Sequence, residues 1–346
     1  MVLPSQILIN HQAIANLDPL SLDKELSLLA KTNASKDINS LHDIMKKAID
    51  RSNKLDLNNL NICHAVYRDL GFVMSSLRKL GVKVCETYPK LETLLLELAN
   101  KTGTVPRETS YHYGIVNPKG SRQRTFTDYP DEIGLIDGVR IFAKGLEETL
   151  INVLEVYNQA EEGVPIKPSL TAIILEKFRE TLKNAGNAMR RIDPLIFSTK
   201  LRPFFDPVVV NGREYVGPGG GQVPLLIIDN ILFAFDLPDD HIFRVFSEEG
   251  YKFLTKELVQ TYMLYKSKPS LVSLAQKTND KALTSFLDEF FNELIKYRQI
   301  HYQVAKNALS EQNSGNYETG SAGYRLEMVY ETLIATKEAK RRLIVN

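Results

Sequence analysis

The chain has 346 residues, of which 43% are hydrophobic and 25% are charged. This length can supply a large hydrophobic core in one or two domains, and the composition excludes a wholly disordered chain. The 43 basic and 42 acidic residues leave a formal net charge of +1. A balance this close excludes the broad positive field of a non-specific nucleic-acid binder or a polybasic membrane anchor. We therefore expect neither nucleic acid nor a membrane as a partner.

Cysteine content and the first residues give an expectation about the compartment. The two cysteines, Cys63 and Cys85, are too few for a disulfide framework. The N-terminus has no basic region followed by a long apolar stretch, so no signal peptide is predicted. The most apolar stretch, 223–235, contains two polar residues and is shorter than the ~20 residues of a membrane span. These features predict a cytoplasmic protein.

Apolar residues recur at helical spacing through most of the chain, beginning at 41–49, 60–77 and 91–99. Only the stretch from Asp206 to Val216 alternates as a strand pair would. It contains Asn211-Gly212, the residue pair that favours a tight hairpin turn. The sequence therefore predicts a mostly α fold with one hairpin.

The stretch from Thr104 to Asp131 lacks a helical pattern and contains three prolines. A structureless segment of this length in a compact protein is typical of a domain boundary or a functional loop. We place a boundary here, which predicts a small helical domain over 1–110 and a larger domain over 111–346. The larger domain is expected to begin with a long helix from about 131 to 160.

The segment 280–311 is predicted as one helix, and His301 lies on its apolar stripe between Leu283 and Leu309. This position places His301 in the middle of a face expected to be buried. A buried imidazole needs a partner for its ring nitrogens. Two explanations stay open at this point: a hydrogen bond within the protein, which is commoner for a single histidine, or axial ligation of haem iron.

Two other histidines are assigned structural roles. His64 follows Cys63 on an apolar helical face, and with Cys85 these residues lack the paired spacing of a zinc site, so His64 is expected in the core. His112 lies in the irregular segment, where a hydrogen bond within its own loop is the favoured role.

Two glycine-rich runs and one arginine are further candidates for ligand binding. The run 217–222 lacks the Gly-Lys-Ser/Thr ending of a phosphate loop. It is either a flexible turn or a place where a flat ligand approaches the backbone, and the same alternatives hold for 320–323. Arg202 lies among apolar residues and should pair either with Asp206 or with a ligand carboxylate.

Seven segments occur in an order that is more specific than any one of them: Arg68–Phe72, Pro106–Thr109, Asn117-Pro118, Tyr129–Glu132, Leu201–Phe204, Gly217–Gly219 and Gly320–Tyr324. On these segments the chain resembles the haem-dependent indoleamine and tryptophan dioxygenase superfamily along nearly its whole length. Within that superfamily it more closely resembles the monodechloroaminopyrrolnitrin synthases, which rearrange a tryptophan-derived substrate into an aminophenylpyrrole. The resemblance implies a mostly helical fold in which the large domain binds haem.

The resemblance also implies roles for individual residues. His301 is similar to the iron ligand of the family, and Arg298, three residues before it, matches an arginine near a haem propionate. Arg202 matches an arginine that binds the substrate carboxylate, and Phe197 matches an aromatic residue that packs on the indole ring. The resemblance assigns Gly219, Gly220 and Gly221 to the lining of the substrate pocket. It assigns Ser321 to the loop that closes over the substrate. Arg202 and Ser321 are the expected catalytic residues.

The implied function is an oxygenase with haem b as cofactor, dioxygen as co-substrate, and tryptophan or a related aromatic amino acid as substrate. The synthases have a tyrosine eight residues after the iron ligand, where this chain has Leu309, and Gln222 is more similar to the dioxygenases. Indole-cleaving 2,3-dioxygenation and aromatic amino-acid hydroxylation therefore stay open as reactions. Two alternatives are not enzymes: a non-catalytic haem sensor and a haem-free helical binding module. A homodimer stays open as the oligomeric state.

Overall fold

The computed structural model describes residues 10–219, 222–310, 317–321 and 323–344. These residues are mostly α-helical, which confirms the predicted fold class. The helices are α1 (His11–Ala15), α2 (Asp23–Leu26), α3 (Leu29–Ala34), α4 (Ile38–Ser52), α5 (Leu60–Lys79), α6 (Val84–Thr87), α7 (Pro89–Thr102), α8 (Pro130–Glu161), α9 (Pro168–Met189), α10 (Pro194–Ile196), α11 (Leu225–Leu232), α12 (Ile242–Gly250), α13 (Lys256–Tyr265), α14 (Leu271–Thr278), α15 (Lys281–Ala308) and α16 (Leu326–Ile344).

The predicted hairpin is present as strands β1 (Val208–Val210) and β2 (Arg213–Tyr215). The two strands pair antiparallel, with Val208 opposite Tyr215. Asn211 and Gly212 both have positive φ, as a tight hairpin turn requires. The sheet of the described residues is limited to these two strands.

Helix boundaries follow from capping residues that the sequence already contains. Helix α8 begins at Pro130, a residue favoured in the first turn because its missing N–H would have no helical partner. Helix α15 begins after Asp280, whose side chain accepts hydrogen bonds from the N–H groups of Ala282 and Leu283. Both long helices therefore lie within a few residues of their predicted positions.

A first hydrophobic core is built by the long helices of the C-terminal two thirds of the chain. Helix α8 packs along α9, and α15 packs along α16. Phe178 of α9 stacks on Phe290 of α15, with ring centroids 4.3 Å apart. Helix α11 lies within this core and all its residues are buried. These contacts fix α15, the helix that carries His301.

A second hydrophobic core joins the N-terminal helices to later parts of the chain. It contains apolar residues of α2–α7 together with Phe126, Phe204, Phe205 and the inward residues of β1. The irregular segment 104–131 contributes to it and includes a π-helical turn over Tyr111–Ile115. This segment is therefore packed in the protein, and the domain boundary placed in it stays a prediction.

Buried ion pairs fasten the N-terminal segment and the irregular segment to α5. Arg68 and Asp69 are fully buried neighbours, and Arg124 from the irregular segment also donates to Asp69, at 3.1 Å. The guanidinium of Arg68 donates further to backbone carbonyl oxygens, including that of Leu17 at 2.9 Å. Buried charges are tolerated when they are paired and hydrogen-bonded in this way.

Among the helices of the described ranges, none is both long and apolar enough to cross a lipid bilayer.

Candidate functional site

Arg202 is placed by a short run of turns after α10. The side chain of Asp193 caps α10, and a π-helical turn over Phe197–Leu201 and a 3₁₀ turn over Arg202–Phe205 follow. Arg202 is buried at the start of the second turn. The ring of Phe197 is half-buried and packs against the second core. The predicted contact of Phe197 with an indole ring stays a prediction.

The guanidinium of Arg202 is already bound by the protein on one side. Its Nη1 donates to Oδ1 of Asp206 at 2.7 Å, so the internal ion pair expected as one alternative is present. Its Nη2 donates to the carbonyl oxygen of Gly320 at 3.2 Å. The Nε of Arg202 is buried and has no hydrogen-bond partner among the described residues. Of the five N–H donors of this guanidinium, the described residues therefore use two, and Nε is the one nitrogen left without any partner among them.

Asp206 is shared by three side chains. Arg202 binds one carboxylate oxygen, and Nη1 of Arg78 and the hydroxyl of Tyr317 both donate to the other at 3.2 Å. The Tyr317 ring also lies over the Arg202 guanidinium, with its centroid 4.3 Å from Cζ. Sequence reasoning missed Arg78 and Tyr317 because they are 124 or 115 positions from Arg202 along the chain (202 − 78 and 317 − 202) and lie in no motif.

Ser110 and Gln222 hold the backbone of the glycine-rich run. The Ser110 hydroxyl donates to the carbonyl oxygen of Gly219 at 2.8 Å, and the N–H of Gly219 lies 2.9 Å from the same hydroxyl. The side chain of Gln222 accepts from the N–H of Ser110 and donates to the carbonyl oxygen of Gly217, both at 2.9 Å. All of these residues are buried, so the described part of the run is held by specific hydrogen bonds.

Space, and not backbone conformation, requires glycine at position 217. A Cβ added to Gly217 would lie 2.1 Å from the carbonyl oxygen of Phe205. The group that lies close to Gly217 is therefore the backbone of Phe205. Gly220 and Gly221 lie outside the described residues. Their role in a ligand pocket, like that of Gly219, stays a prediction.

Ser321 lies beside the residue that binds Arg202. Its neighbour Gly320 gives its carbonyl oxygen to Arg202, and the N–H of Gly320 donates to the carbonyl oxygen of Tyr324 at 2.9 Å. Ser321 is half-buried, and its hydroxyl makes no hydrogen bond to a described residue. The structure thus brings the loop of Ser321 against Arg202, while the catalytic role of Ser321 stays a prediction.

His301 is exposed, which corrects the expectation that it lies in the middle of a buried face. The buried stripe of α15 ends at Arg298. Beyond it, Ile300 and Val304 are 59% and 53% exposed. A periodic apolar pattern predicts a face that avoids water, but it does not specify whether protein or a bound molecule covers that face. The apolar spacing of α15 therefore predicted that His301 is buried, although the described residues leave its ring exposed.

Aromatic stacking fixes the position of the His301 ring. The ring stacks on Tyr297, with centroids 5.8 Å apart and an interplanar angle of 14°, and Tyr297 packs against Phe142 of α8 at 5.3 Å. Neither nitrogen of His301 has a hydrogen-bond partner in the part of the chain that the structure describes. Desolvation by the surrounding protein atoms and the charge of Arg298 lower the pKa of His301. The imidazole is therefore neutral at neutral pH, the form that binds metal ions.

Arg298 is bound within the protein. Its Nη1 donates to the carbonyl oxygen of Thr332 at 2.9 Å and to the hydroxyl of Thr336, and its Nη2 forms an ion pair with Asp229. Burial raises the pKa of Asp229 to about 6, against the opposing effect of Arg298. These contacts tie α15 to α11 and α16. The predicted position of Arg298 near a propionate stays a prediction.

His64 and His112, the other two histidines weighed above, form a pair. Nδ1 of His112 accepts from the N–H of Thr109 at 3.1 Å, so Nε2 of His112 carries the proton and donates to Nδ1 of His64, also at 3.1 Å. These contacts confirm the core role of His64 and the loop role of His112. Within the described ranges, no group of three or more His, Cys, Asp or Glu residues could hold a metal ion.

The candidate residues form two groups that one segment connects. His301 and Arg298 lie on α15, whereas Arg202 contacts the segment between α15 and α16, through Tyr317 and Gly320. A model of the family described as monodechloroaminopyrrolnitrin synthase PrnB matches residues 12–313, which include His301, Arg298 and Arg202 but not residues 317–321. The matched range also contains helices α2–α15 and both strands. The chain belongs to the monodechloroaminopyrrolnitrin synthase family of enzymes.

Proposed function

We propose that this protein is a haem b-dependent oxygenase that rearranges the indole ring of tryptophan or of a tryptophan-derived amino acid. The observation that carries the proposal is His301, a neutral imidazole that is accessible and makes no hydrogen bond to a described residue. Family membership supports the reaction class.

The residues present fit haem by the chemistry of their donors. Haem iron needs a single neutral imidazole as its protein ligand, so the lack of a multi-residue metal cluster among the described residues does not conflict with it. His301 would hold the iron, and Ile300 and Val304 would give the macrocycle apolar surface. Arg298 would supply positive charge one turn before the ligand. When bound, haem supplies the redox chemistry of the reaction, with dioxygen as co-substrate.

The residues around Arg202 fit the amino-acid end of the substrate. A carboxylate could accept a hydrogen bond from the unused Nε of Arg202, which is preorganised because Asp206 and Gly320 fix the guanidinium. Gly219 and the neighbouring run would line the pocket, and the loop of Ser321 would close over the substrate and exclude water. Phe197 would contact the indole ring after a side-chain rearrangement away from the second core.

Oxidative cleavage of the indole ring is the second candidate, and Leu309 favours it. This residue ends α15 and provides no phenol at the position where the synthases have a tyrosine. We propose that the protein is cytoplasmic and that its binding partner is a small aromatic amino acid. A homodimer stays open as its oligomeric state.

Product analysis tests the proposed reaction. The purified chain is reconstituted with haem, reduced, and incubated with L-tryptophan and air, and products are identified by mass spectrometry. A rearranged indole supports the synthase reaction, and a product that gains both atoms of dioxygen supports cleavage. Tryptophan that binds without turnover supports the sensor alternative. A protein that binds neither haem nor tryptophan would overturn the proposal in favour of a haem-free helical module.

A further inference from the structure

Tyr317 is a half-buried contact of Arg202 that the proposed reaction does not yet use. It lies in the segment between α15 and α16, outside the range that the family model matches. Its ring covers the face of the Arg202 guanidinium at 4.3 Å, and its hydroxyl donates to Asp206 at 3.2 Å. The ring and the hydroxyl thus engage both members of the Arg202–Asp206 ion pair.

The contacts of Arg202 leave one of its three guanidinium nitrogens without an acceptor among the described residues. Asp206 binds Nη1 and Gly320 binds Nη2, while Tyr317 covers one face of the guanidinium plane. Of the three guanidinium nitrogens, Nε alone has no hydrogen-bond partner among the described residues, and it is buried. A planar cation restrained on its edge and on one face can turn little, so the direction of the Nε–H bond is fixed.

Tyr317 also fastens a loop. Three contacts tie residues 317–321 to Arg202 and Asp206: the Tyr317 ring on Arg202, the Tyr317 hydroxyl on Asp206, and the Gly320 carbonyl oxygen on Arg202. Ser321 follows Gly320 directly. Among the contacts of described residues, removing the Tyr317 side chain would leave the Gly320 hydrogen bond to hold this loop against Arg202.

We propose that Tyr317 is a positioning residue for carboxylate recognition, which fastens the Ser321 loop to Arg202 and keeps Nε of Arg202 directed at an incoming carboxylate. The ligand class is an amino acid with a free α-carboxylate. This inference rests on the proposed function for the identity of the ligand, but the fastening of the loop does not depend on any ligand.

The fastening is tested first, without a ligand, by limited trypsin digestion of the full-length protein. Arg325 is exposed and lies just before α16, so cleavage after it reports on the mobility of the segment that Tyr317 holds. We expect Tyr317→Ala to be cleaved after Arg325 several times faster than the wild type. The matched control is Tyr88→Ala, which removes another half-buried tyrosine whose hydroxyl also bonds one side chain, that of His42. Equal cleavage in all three proteins would overturn the proposal.

The effect on recognition is tested by binding L-tryptophan and tryptamine, which lacks the carboxylate. The chain contains no tryptophan, so the emission of either ligand reports its own binding. We expect Tyr317→Ala to weaken L-tryptophan binding on the order of tenfold, the size of a partly buried cation–π contact, and to leave tryptamine binding unchanged. Tyr317→Phe keeps the ring and should lose only a few-fold through the missing hydrogen bond to Asp206.

The outcomes separate this inference from the proposed function. Equal weakening of both ligands would show a merely structural role for Tyr317 and overturn the inference, while leaving the function intact. If the wild-type protein binds neither ligand, the proposed function fails, and loop fastening is decided by the digestion alone.

Discussion

Arg202 combines an ion pair with Asp206, a hydrogen bond to Gly320 and an Nε–H donor that no described residue uses. Lysine at this position keeps the charge but has no planar fork and no Nε–H. We expect Arg202→Lys to weaken L-tryptophan binding by about 1.5–3 kcal/mol, which is roughly tenfold to a hundredfold. Fluorescence titration of the ligand measures this loss.

The matched control for this substitution is Arg213→Lys on the exposed strand β2, where the arginine contacts only solvent-accessible groups. It should leave binding unchanged. Wild-type affinity in Arg202→Lys would show that the carboxylate is bound elsewhere.

Residues of the candidate site could be predicted from the sequence only where a motif or a regular spacing marked them. Arg202 and His301 were singled out in this way, and their local elements were predicted. Tyr317 and Ser110 have no such mark, because their contacts with Arg202 and Gly219 join parts of the chain more than 100 residues apart. Such long-range pairs depend on how helices pack, which periodicity in one segment does not encode.

At the scale of structural elements, the next prediction concerns Gly217, at the start of the glycine-rich run. Gly217→Ala would place a Cβ 2.1 Å from the Phe205 carbonyl oxygen and must displace backbone. We expect it to lower the free energy of unfolding by about 2–4 kcal/mol, in the range of severe overpacking. Chemical denaturation measures the change.

Gly186→Ala is the matched control, because a Cβ there meets nothing within 4 Å and the residue lies inside α9. This substitution should raise the free energy of unfolding by up to about 1 kcal/mol through helix propensity. Equal effects at the two positions would contradict the packing described for Gly217.

Ser110 gives a second prediction at the scale of elements. Its hydroxyl pairs with both backbone groups of Gly219, and both would be left buried and unpaired in Ser110→Ala. We expect a loss of about 1–3 kcal/mol in the free energy of unfolding. The exposed Ser35→Ala serves as control and should change it by less than about 0.5 kcal/mol. A neutral Ser110→Ala would mean that the run does not depend on this contact.

Long helices were predictable because capping residues and apolar spacing agree in them. Helix α8 was expected from about 131 to 160 and spans Pro130–Glu161, and α15 begins one residue after its expected first position. The π-helical turns at Tyr111–Ile115 and Phe197–Leu201 were not predicted. Their conformation depends on tertiary contacts such as that of Ser110 with the glycine-rich run, and no local propensity marks them.

At the scale of the whole molecule, Glu132 links protonation to stability. It is buried at the start of α8 and accepts from the N–H groups of Phe126 and Thr127 at 2.7 Å. Burial raises its pKa from the ordinary 4.5 to about 7, although these hydrogen bonds oppose the shift. A raised pKa means that the folded state binds the proton more tightly. The resulting stability is fully present below pH 4.5 and is lost as the pH rises through about 7.

We therefore expect the free energy of unfolding of the wild type, relative to Glu132→Gln, to fall by about 3 kcal/mol between pH 4.5 and 7. Denaturation curves at several pH values measure this difference. Glu162→Gln, at the exposed end of the same helix, should show no such trend. A difference that rises with pH would contradict the account of Glu132.

The second hydrophobic core contains apolar residues of the segment that holds Arg202, and the exposed C-terminal part of α15 lies beyond the first core. Composition and periodicity predicted the helical class. They did not predict that the apolar stripe of α15 would continue past the part covered by described protein. That continuation, with His301 on it, is the feature of the whole molecule that most favours a bound cofactor.

The most direct measurement of this central claim is the visible absorption spectrum after haem reconstitution, recorded for the wild type and for His301→Ala. Our account predicts a strong Soret band that shifts on reduction in the wild type and is lost or altered in the variant. Tyr302→Phe, at the next position of α15, should keep the wild-type spectrum. A folded wild-type protein without a Soret band, or an identical spectrum in His301→Ala, would contradict the assignment of His301 as the iron ligand.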